Sequence, residues 1–119
     1  MKKEKLEAIV TASEYIKNLI KAIKDMSEMM YSGNEAEGMN MISQVVDGLD
    51  YINKVVYLTD NVFGRIENID GLNEYLDEIV NAIEGEDYIL VGDLFNYEVT
   101  PILEEVENAF IDALENEAE

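Results

Sequence analysis

The sequence predicts an all-α protein, and three observations support that prediction. Apolar residues recur at steps of three and four over four long stretches, which is the spacing of helices with one buried face. The alternation typical of a strand is not sustained anywhere. Proline occurs once and no linker-like run divides the chain, so we predict one domain over residues 1–119. Four helices with one apolar face apiece favour an antiparallel four-helix bundle.

The first two helices are predicted to form a hairpin. The first helix covers about residues 3–31, and a turn at Gly33 follows because glycine readily takes the left-handed conformation past a helix end. The second helix covers about residues 35–58. Thr59 or Asp60 is expected to end it and to cap the next helix.

The third helix is expected over about residues 61–84, but the path of residues 59–71 stays open. The apolar helical repeat continues through this segment and argues for one helix. Gly64 and the Asp70–Gly71 pair are helix breakers, and Asp-Gly often marks a turn. We therefore expect an interruption near Asp70–Gly71.

The fourth helix covers the longest apolar-periodic run, about residues 86–114, and contains the only proline. Asp87 is expected to cap its start. Pro101 has no N–H to donate, so the helix either continues with a kink or stops near Glu98 and restarts with Thr100 as N-cap. The apolar stripe runs unbroken across Pro101 and favours the kink.

The charge of the chain limits its partners. The net charge is −19, distributed as +3 over residues 1–24 and −22 over the remainder. Such a surface repels phosphate backbones and anionic membranes, so we expect neither nucleic-acid nor membrane binding. It attracts basic proteins.

No apolar run is long enough for a transmembrane helix, and charges interrupt any signal-peptide core, which predicts a cytoplasmic protein.

Residues suited to catalysis are scarce. The chain has no histidine and no cysteine, so the usual general base, the commonest activated nucleophiles and any thiolate metal site are missing. Glycine patterns for calcium or phosphate loops are absent as well. We therefore expect no enzyme and no cofactor. A metal-dependent enzyme that uses carboxylates alone is the remaining catalytic alternative.

Two polar residues on inner helix faces suggest a buried ion pair. Glu98 lies among apolar positions of the fourth helix, and Arg65, the only arginine, lies on the inner side of the third. A buried carboxylate costs stability unless it is paired, and arginine offers two donors. We hypothesise an Arg65–Glu98 pair, joined by Asn53 on the inner stripe of the second helix. The favoured alternative is that each side chain reaches solvent at the edge of its stripe.

A group of methionines with one tyrosine surrounds the first hairpin. Flexible methionines form adaptable binding surfaces, but they also fill the ends of helical bundles, and the pattern favours the second role. Elsewhere, the remaining tyrosines do not all fit on inner faces, so some are expected at the surface. The candidate interaction surface comprises Met26, Met29, Met30, Tyr31, Met39 and Met41.

Residues 87–105 read D-Y-I-L-V-G-D-L-F-N-Y-E-V-T-P-I-L-E-E. This segment resembles a family of small, acidic, helical proteins of unknown function from Gram-positive bacteria, whose motif is D-Y-x-L-x-x-D-L-x-x-Y-E-x-x-P-x-L. The resemblance brings no chemistry with it, but it implies that Asp93, Tyr97, Glu98 and Pro101 act together. The motif residues are Asp87, Tyr88, Asp93, Tyr97, Glu98 and Pro101.

The layout of the chain is also similar to that of flagellin-type export chaperones. A long first helix, a turn ending in Gly33-Asn34 and an acidic final helix follow in the same order. That resemblance implies apolar grooves that hold an amphipathic helix of a client protein. We therefore expect a protein-interaction module, chaperone-like or regulatory. The alternatives are a nucleic-acid mimic that inhibits a basic protein and, for the apolar surface, a homodimer.

Overall fold

The structure, a computed structural model, describes residues 2–63, 66 and 69–118, and these residues contain helices and no strand. They form an elongated body of 48 × 22 × 19 Å. The all-α prediction is confirmed. The helices are α1 (Lys2–Tyr31), α2 (Glu35–Phe63), α3 (Leu72–Glu84) and α4, which runs over residues 88–118 and includes a π-helical stretch.

The first two helices form the hairpin that the sequence predicts. Gly33 has φ +86°, the left-handed conformation expected after α1. Close approach of the two helices depends on Gly48, because a Cβ atom there would lie 2.9 Å from Leu19 Cδ1 and 2.5 Å from the Tyr15 hydroxyl. Nearer the turn, the Met30 side chain lies against Gly38.

The predicted end of the second helix is wrong. α2 continues past Thr59 and Asp60 to Phe63. Thr59 is buried, and its hydroxyl donates to the Val55 carbonyl oxygen at 2.6 Å, within the same helix. The hydroxyl that was expected to cap a new helix is therefore used inside the old one.

The third helix is shorter than predicted. It begins at Leu72, after a 3₁₀ turn over Ile69–Gly71, so the interruption expected near Asp70–Gly71 is where α3 starts. Ile66 is buried outside any helix, which rules out one helix from residue 61 to 84. Residues 64, 65, 67 and 68 lie outside the described part of the chain.

The fourth helix continues through Pro101 without a break. Asp87 caps its start, as predicted, by accepting a hydrogen bond from Leu90 N–H at 3.2 Å. A restart with Thr100 as N-cap is wrong, because Thr100 has helical angles. Its N–H and its hydroxyl both donate hydrogen bonds to the Phe95 carbonyl oxygen, the hydroxyl at 2.9 Å. The helix passes Pro101 directly after a π-helical stretch over Leu94–Val99.

The spacing of buried residues explains the π-helical stretch. Val91, Phe95, Val99 and Leu103 are all fully buried, and each follows the one before by four residues. At about 100° per residue, each step of four drifts about 40° around an α-helix, so three steps would carry the stripe off the core. The wider π turn accommodates one extra residue and keeps all four on one face.

The core lies where α1 packs against both α2 and α4. α4 also packs against α2, and α3 packs on another face of α4. No helix in the described ranges is long and apolar enough to cross a membrane. The largest fully buried side chains are Phe95, Phe110, Ile9, Ile16, Ile23, Met26, Leu49, Ile52 and Leu103.

Candidate functional site

A groove lies between α2 and α3. Two neighbouring cavities, of about 600 Å³ and about 230 Å³, lie along it and share Asp50, Asn53 and Asn73 in their walls. One wall is a stripe of α2 that extends from Val46 to Tyr57, at helical steps of three and four. That stripe is about 16 Å long, which is about three turns of helix.

Apolar side chains form the floor and shoulders of this α2–α3 groove. Leu49 and Leu72 are buried at its floor, and Leu76 is half-buried on the α3 side. On the shoulders Val46 is 39% exposed and Tyr57 is 79% exposed. Leu58, 64% exposed, lies beside Tyr57, and the stripe between the two ends presents the polar Asp50 and Asn53. Single exposed apolar residues are ordinary, but an apolar floor with exposed apolar side chains at both ends suits an interaction surface.

The rim of the groove is acidic. Asp47, Asp50 and Asp70 line the two cavities, and the one basic residue among the described lining is Lys54. Lys54 forms an exposed ion pair with Asp50, with Nζ and Oδ2 3.0 Å apart. The rim therefore carries net negative charge beside an apolar floor, which favours a partner with apolar and basic residues side by side.

The predicted inward position of Asn53 is wrong. Asn53 is exposed and lies on the wall of the groove, because α2 turns that stripe toward the opening and buries Leu49 and Ile52 instead. Arg65 lies outside the described residues, so the Arg65–Glu98 pair stays a prediction. Glu98 itself is half-buried, and hydrogen bonding with it, together with its charge, raises the pKa of the Tyr75 hydroxyl.

The residues of the 87–105 motif separate into two places. Asp93 accepts a hydrogen bond from the Tyr31 hydroxyl at 2.7 Å, which ties α4 to the end of α1. Tyr97, Glu98 and Pro101 line a cleft beside α3. Asp93 directly precedes the π-helical stretch of α4, and Tyr97 and Glu98 lie within it.

The contact at Asp93 changes the acid–base behaviour of Tyr31. Burial, the hydrogen bond to the Asp93 carboxylate and the charge of that carboxylate together raise the pKa of the Tyr31 hydroxyl well above its usual value; Tyr97 adds to the rise and Asn96 opposes it. The neutral hydroxyl is the form that can donate to Asp93. Tyr31 therefore stays protonated in the folded protein at a pH where an exposed tyrosine has ionised.

We expect Tyr31→Phe to lower the free energy of unfolding by about 1–2 kcal/mol at neutral pH, because it leaves the half-buried Asp93 carboxylate without this donor. The raised pKa stabilises the fold fully below about pH 10, and this contribution is lost as the pH rises further. Urea unfolding from pH 8 to 11 should show a steeper loss in the wild type than in Tyr31→Phe. Tyr57→Phe, at a position 79% exposed, is the control, and an equal effect there would contradict the assignment.

The methionine group is mainly part of the core. Met26 and Met30 are buried, and Met39 and Met41 pack against the core while half-buried. Met29 and Tyr31 are also half-buried. The favoured interpretation from the sequence, that these residues fill the end of the helical bundle, agrees with this placement.

Sequence reasoning did not identify the groove. Val46 and Val80 stand at the apolar helical spacing of their helices, yet they are 39% and 51% exposed. A signal was present, since α2 carries more apolar residues than one buried face can hold. The separation of α2 from α3 depends on how both helices pack on their neighbours. The apolar pattern of a single helix therefore does not predict it.

Other types of site find little support in the described ranges. No group of three or more carboxylates among those residues is placed to hold a metal ion. The cleft at Glu98 holds two carboxylates with two tyrosines.

These features define an acidic all-helical protein with an open apolar groove. Residues 7–109 match the model of a domain of unknown function, DUF8042. The chain belongs to the DUF8042 family. No curated protein and no solved structure matches the chain.

Proposed function

We propose that this chain is a non-enzymatic protein-binding module, chaperone-like or regulatory in role, with its four helices in an antiparallel bundle. The α2–α3 groove is the binding site. Its occupant is an amphipathic helix of a protein partner, with basic residues along the edge of its apolar face. The observation that carries the proposal is the apolar floor of the groove at Leu49, Leu72 and Leu76, with exposed apolar side chains at its ends and an acidic rim.

The dimensions and chemistry of the groove suit such an occupant. The Val46–Tyr57 stripe matches about three turns of a bound helix, so anchors at positions i, i+3 or i+4, and i+7 would meet the floor. Basic residues of the partner would lie near Asp47, Asp50 and Asp70 on the rim. Apolar burial would supply most of the affinity, and charge would speed association and orient the helix.

Two further expectations from the sequence belong to this proposal. The protein is cytoplasmic and bacterial, from a Gram-positive organism, and its family shares the 87–105 motif. Both rest on the sequence pattern alone.

An acidic surface without a specific groove would instead support the nucleic-acid mimic, so the experiment has to separate apolar binding from charge attraction.

The test is a binding titration with a synthetic amphipathic peptide of about five helical turns, with leucines on one face and lysines at its edge. A peptide of the same composition in scrambled order has the same charge and no apolar face. We expect the amphipathic peptide to bind at least about tenfold more tightly at about 0.15 M salt, because only it can fill the floor. Equal binding of the two peptides would mean that the protein recognises charge alone.

Matched variants locate the binding site. Val46→Asp and Tyr57→Asp place a charge at the two ends of the groove, and Val10→Asp repeats the Val46 change on α1 at similar exposure, 43%. We expect each groove variant to weaken binding about tenfold and Val10→Asp to have less than a twofold effect. Equal losses in all three variants would refute the groove. A homodimer in which the second copy fills the groove would appear as a concentration-dependent mass that Val46→Asp abolishes.

A further inference from the structure

A second cleft lies on another side of α3, where it faces α4. It has a volume of about 380 Å³, and Gly71 and Tyr75 on the α3 side face five residues of α4. It shares no lining residue with the α2–α3 groove and does not depend on the function proposed there. The α4 residues in its wall are Tyr97, Glu98, Pro101, Ile102 and Glu105.

The walls of this cleft combine aromatic rings with carboxylates. Tyr97 is 66% exposed and Tyr75 half-buried, so both rings border the opening. Pro101 and Ile102 supply an apolar surface, and the Glu98 carboxylate supplies negative charge. A cation gains from tyrosine faces and from a carboxylate together, whereas an anion is repelled by both.

The Glu98 carboxylate lies close to Tyr75 in the wall of the cleft. Interaction with Glu98, through hydrogen bonding and then through its charge, is the largest cause of the raised pKa of Tyr75. An ionised carboxylate has about four acceptor positions, so interaction with one hydroxyl leaves capacity for a ligand. The π-helical stretch ends at Val99 beside this site, and it sets the position of Tyr97 and Glu98 relative to Pro101.

We propose that this cleft binds the guanidinium group of an arginine side chain from a protein partner. A guanidinium is flat, stacks on tyrosine rings and offers paired donors to a carboxylate such as Glu98. The methylene groups of the arginine would lie along Pro101 and Ile102. A lysine ammonium is more strongly hydrated and cannot make the paired contact, so the cleft favours arginine.

The test is an NMR titration of the isotopically labelled full chain with capped peptides of alanines around one central residue. That residue is arginine, lysine or citrulline, where citrulline keeps the shape of arginine without its charge. We expect the arginine peptide to bind with a dissociation constant of about 1 mM, and its chemical-shift changes to centre on Tyr75, Tyr97 and Glu98. Citrulline should give none. Equal affinity for lysine, or shifts spread over the whole acidic surface, would overturn the proposal.

Four variants separate the cleft from general charge. Glu98→Gln and Tyr97→Leu should each weaken arginine binding about fivefold, whereas Tyr97→Phe keeps the aromatic face and should change it less than twofold. Glu104→Gln removes the same charge from an exposed position of α4 outside the cleft and should also change binding less than twofold. The spectra report whether each variant is folded. Similar losses in Glu104→Gln and Glu98→Gln would refute the site.

Discussion

Replacing Phe95 by alanine is expected to lower the free energy of unfolding by about 3–5 kcal/mol. Phe95 is fully buried within the π-helical stretch of α4, among the largest side chains of the core. The substitution removes apolar burial and leaves a cavity that the surrounding helices fill only in part. For a domain of this size, such a loss is a large fraction of its total stability.

Tyr97→Ala is the matched control for this prediction. It removes an aromatic ring two residues further along the same stretch, at a position 66% exposed. Urea unfolding followed by far-UV circular dichroism should give a loss below about 1 kcal/mol for Tyr97→Ala. Comparable losses for the two variants would show that α4 does not turn Phe95 inward and Tyr97 outward.

Gly92→Leu is expected to lower the free energy of unfolding by about 2–3 kcal/mol through overpacking between α1 and α4. A Cβ atom at Gly92 would lie 2.9 Å from Cε1 and 3.1 Å from Cζ of the Tyr31 ring, and 3.4 Å from Met30 Cβ. Tyr31 cannot move away freely, because its hydroxyl is bonded to Asp93. Leucine is the better helix former, so its propensity would offset up to about 1 kcal/mol of the packing cost.

Gly85→Leu provides the control for overpacking. Gly85 is exposed at the end of α3 with φ −85°, and a Cβ atom there would have its nearest neighbour, the Asn81 carbonyl oxygen, at 3.5 Å. We expect a change within about 0.5 kcal/mol, measured by the same urea unfolding. A loss at Gly85 as large as that at Gly92 would mean that the Tyr31 contact does not decide the effect.

The sequence predicted the helices well where long periodic stripes and turn residues agree. The hairpin at Gly33 and the cap at Asp87 were both predicted, since each follows from local chemistry. The end of α2 was not, because the polar character of Thr59 does not reveal whether its hydroxyl caps a new helix or turns back on Val55.

The π-helical stretch was visible in the sequence but was taken for ordinary α-helix. Val91, Phe95, Val99 and Leu103 follow a strict step of four, which a straight α-helix cannot keep on one face. The same stretch determines how α4 passes Pro101 and where Tyr97 and Glu98 lie. The α2–α3 groove escaped prediction for a different reason, since it is a gap between helices and depends on tertiary packing. For the cleft beside α3, the motif pointed to Tyr97, Glu98 and Pro101 but not to the α3 residues that face them.

The most direct test of the protein-binding account is to map where an amphipathic helix contacts the labelled chain. The leucine–lysine peptide would be titrated into the protein, and backbone chemical shifts followed by NMR. The account predicts changes concentrated on α2 from Val46 to Tyr57 and on α3 from Leu72 to Leu76, and their absence in Val46→Asp. Changes spread evenly over the acidic surfaces of all four helices, and equal for the scrambled peptide, would contradict it.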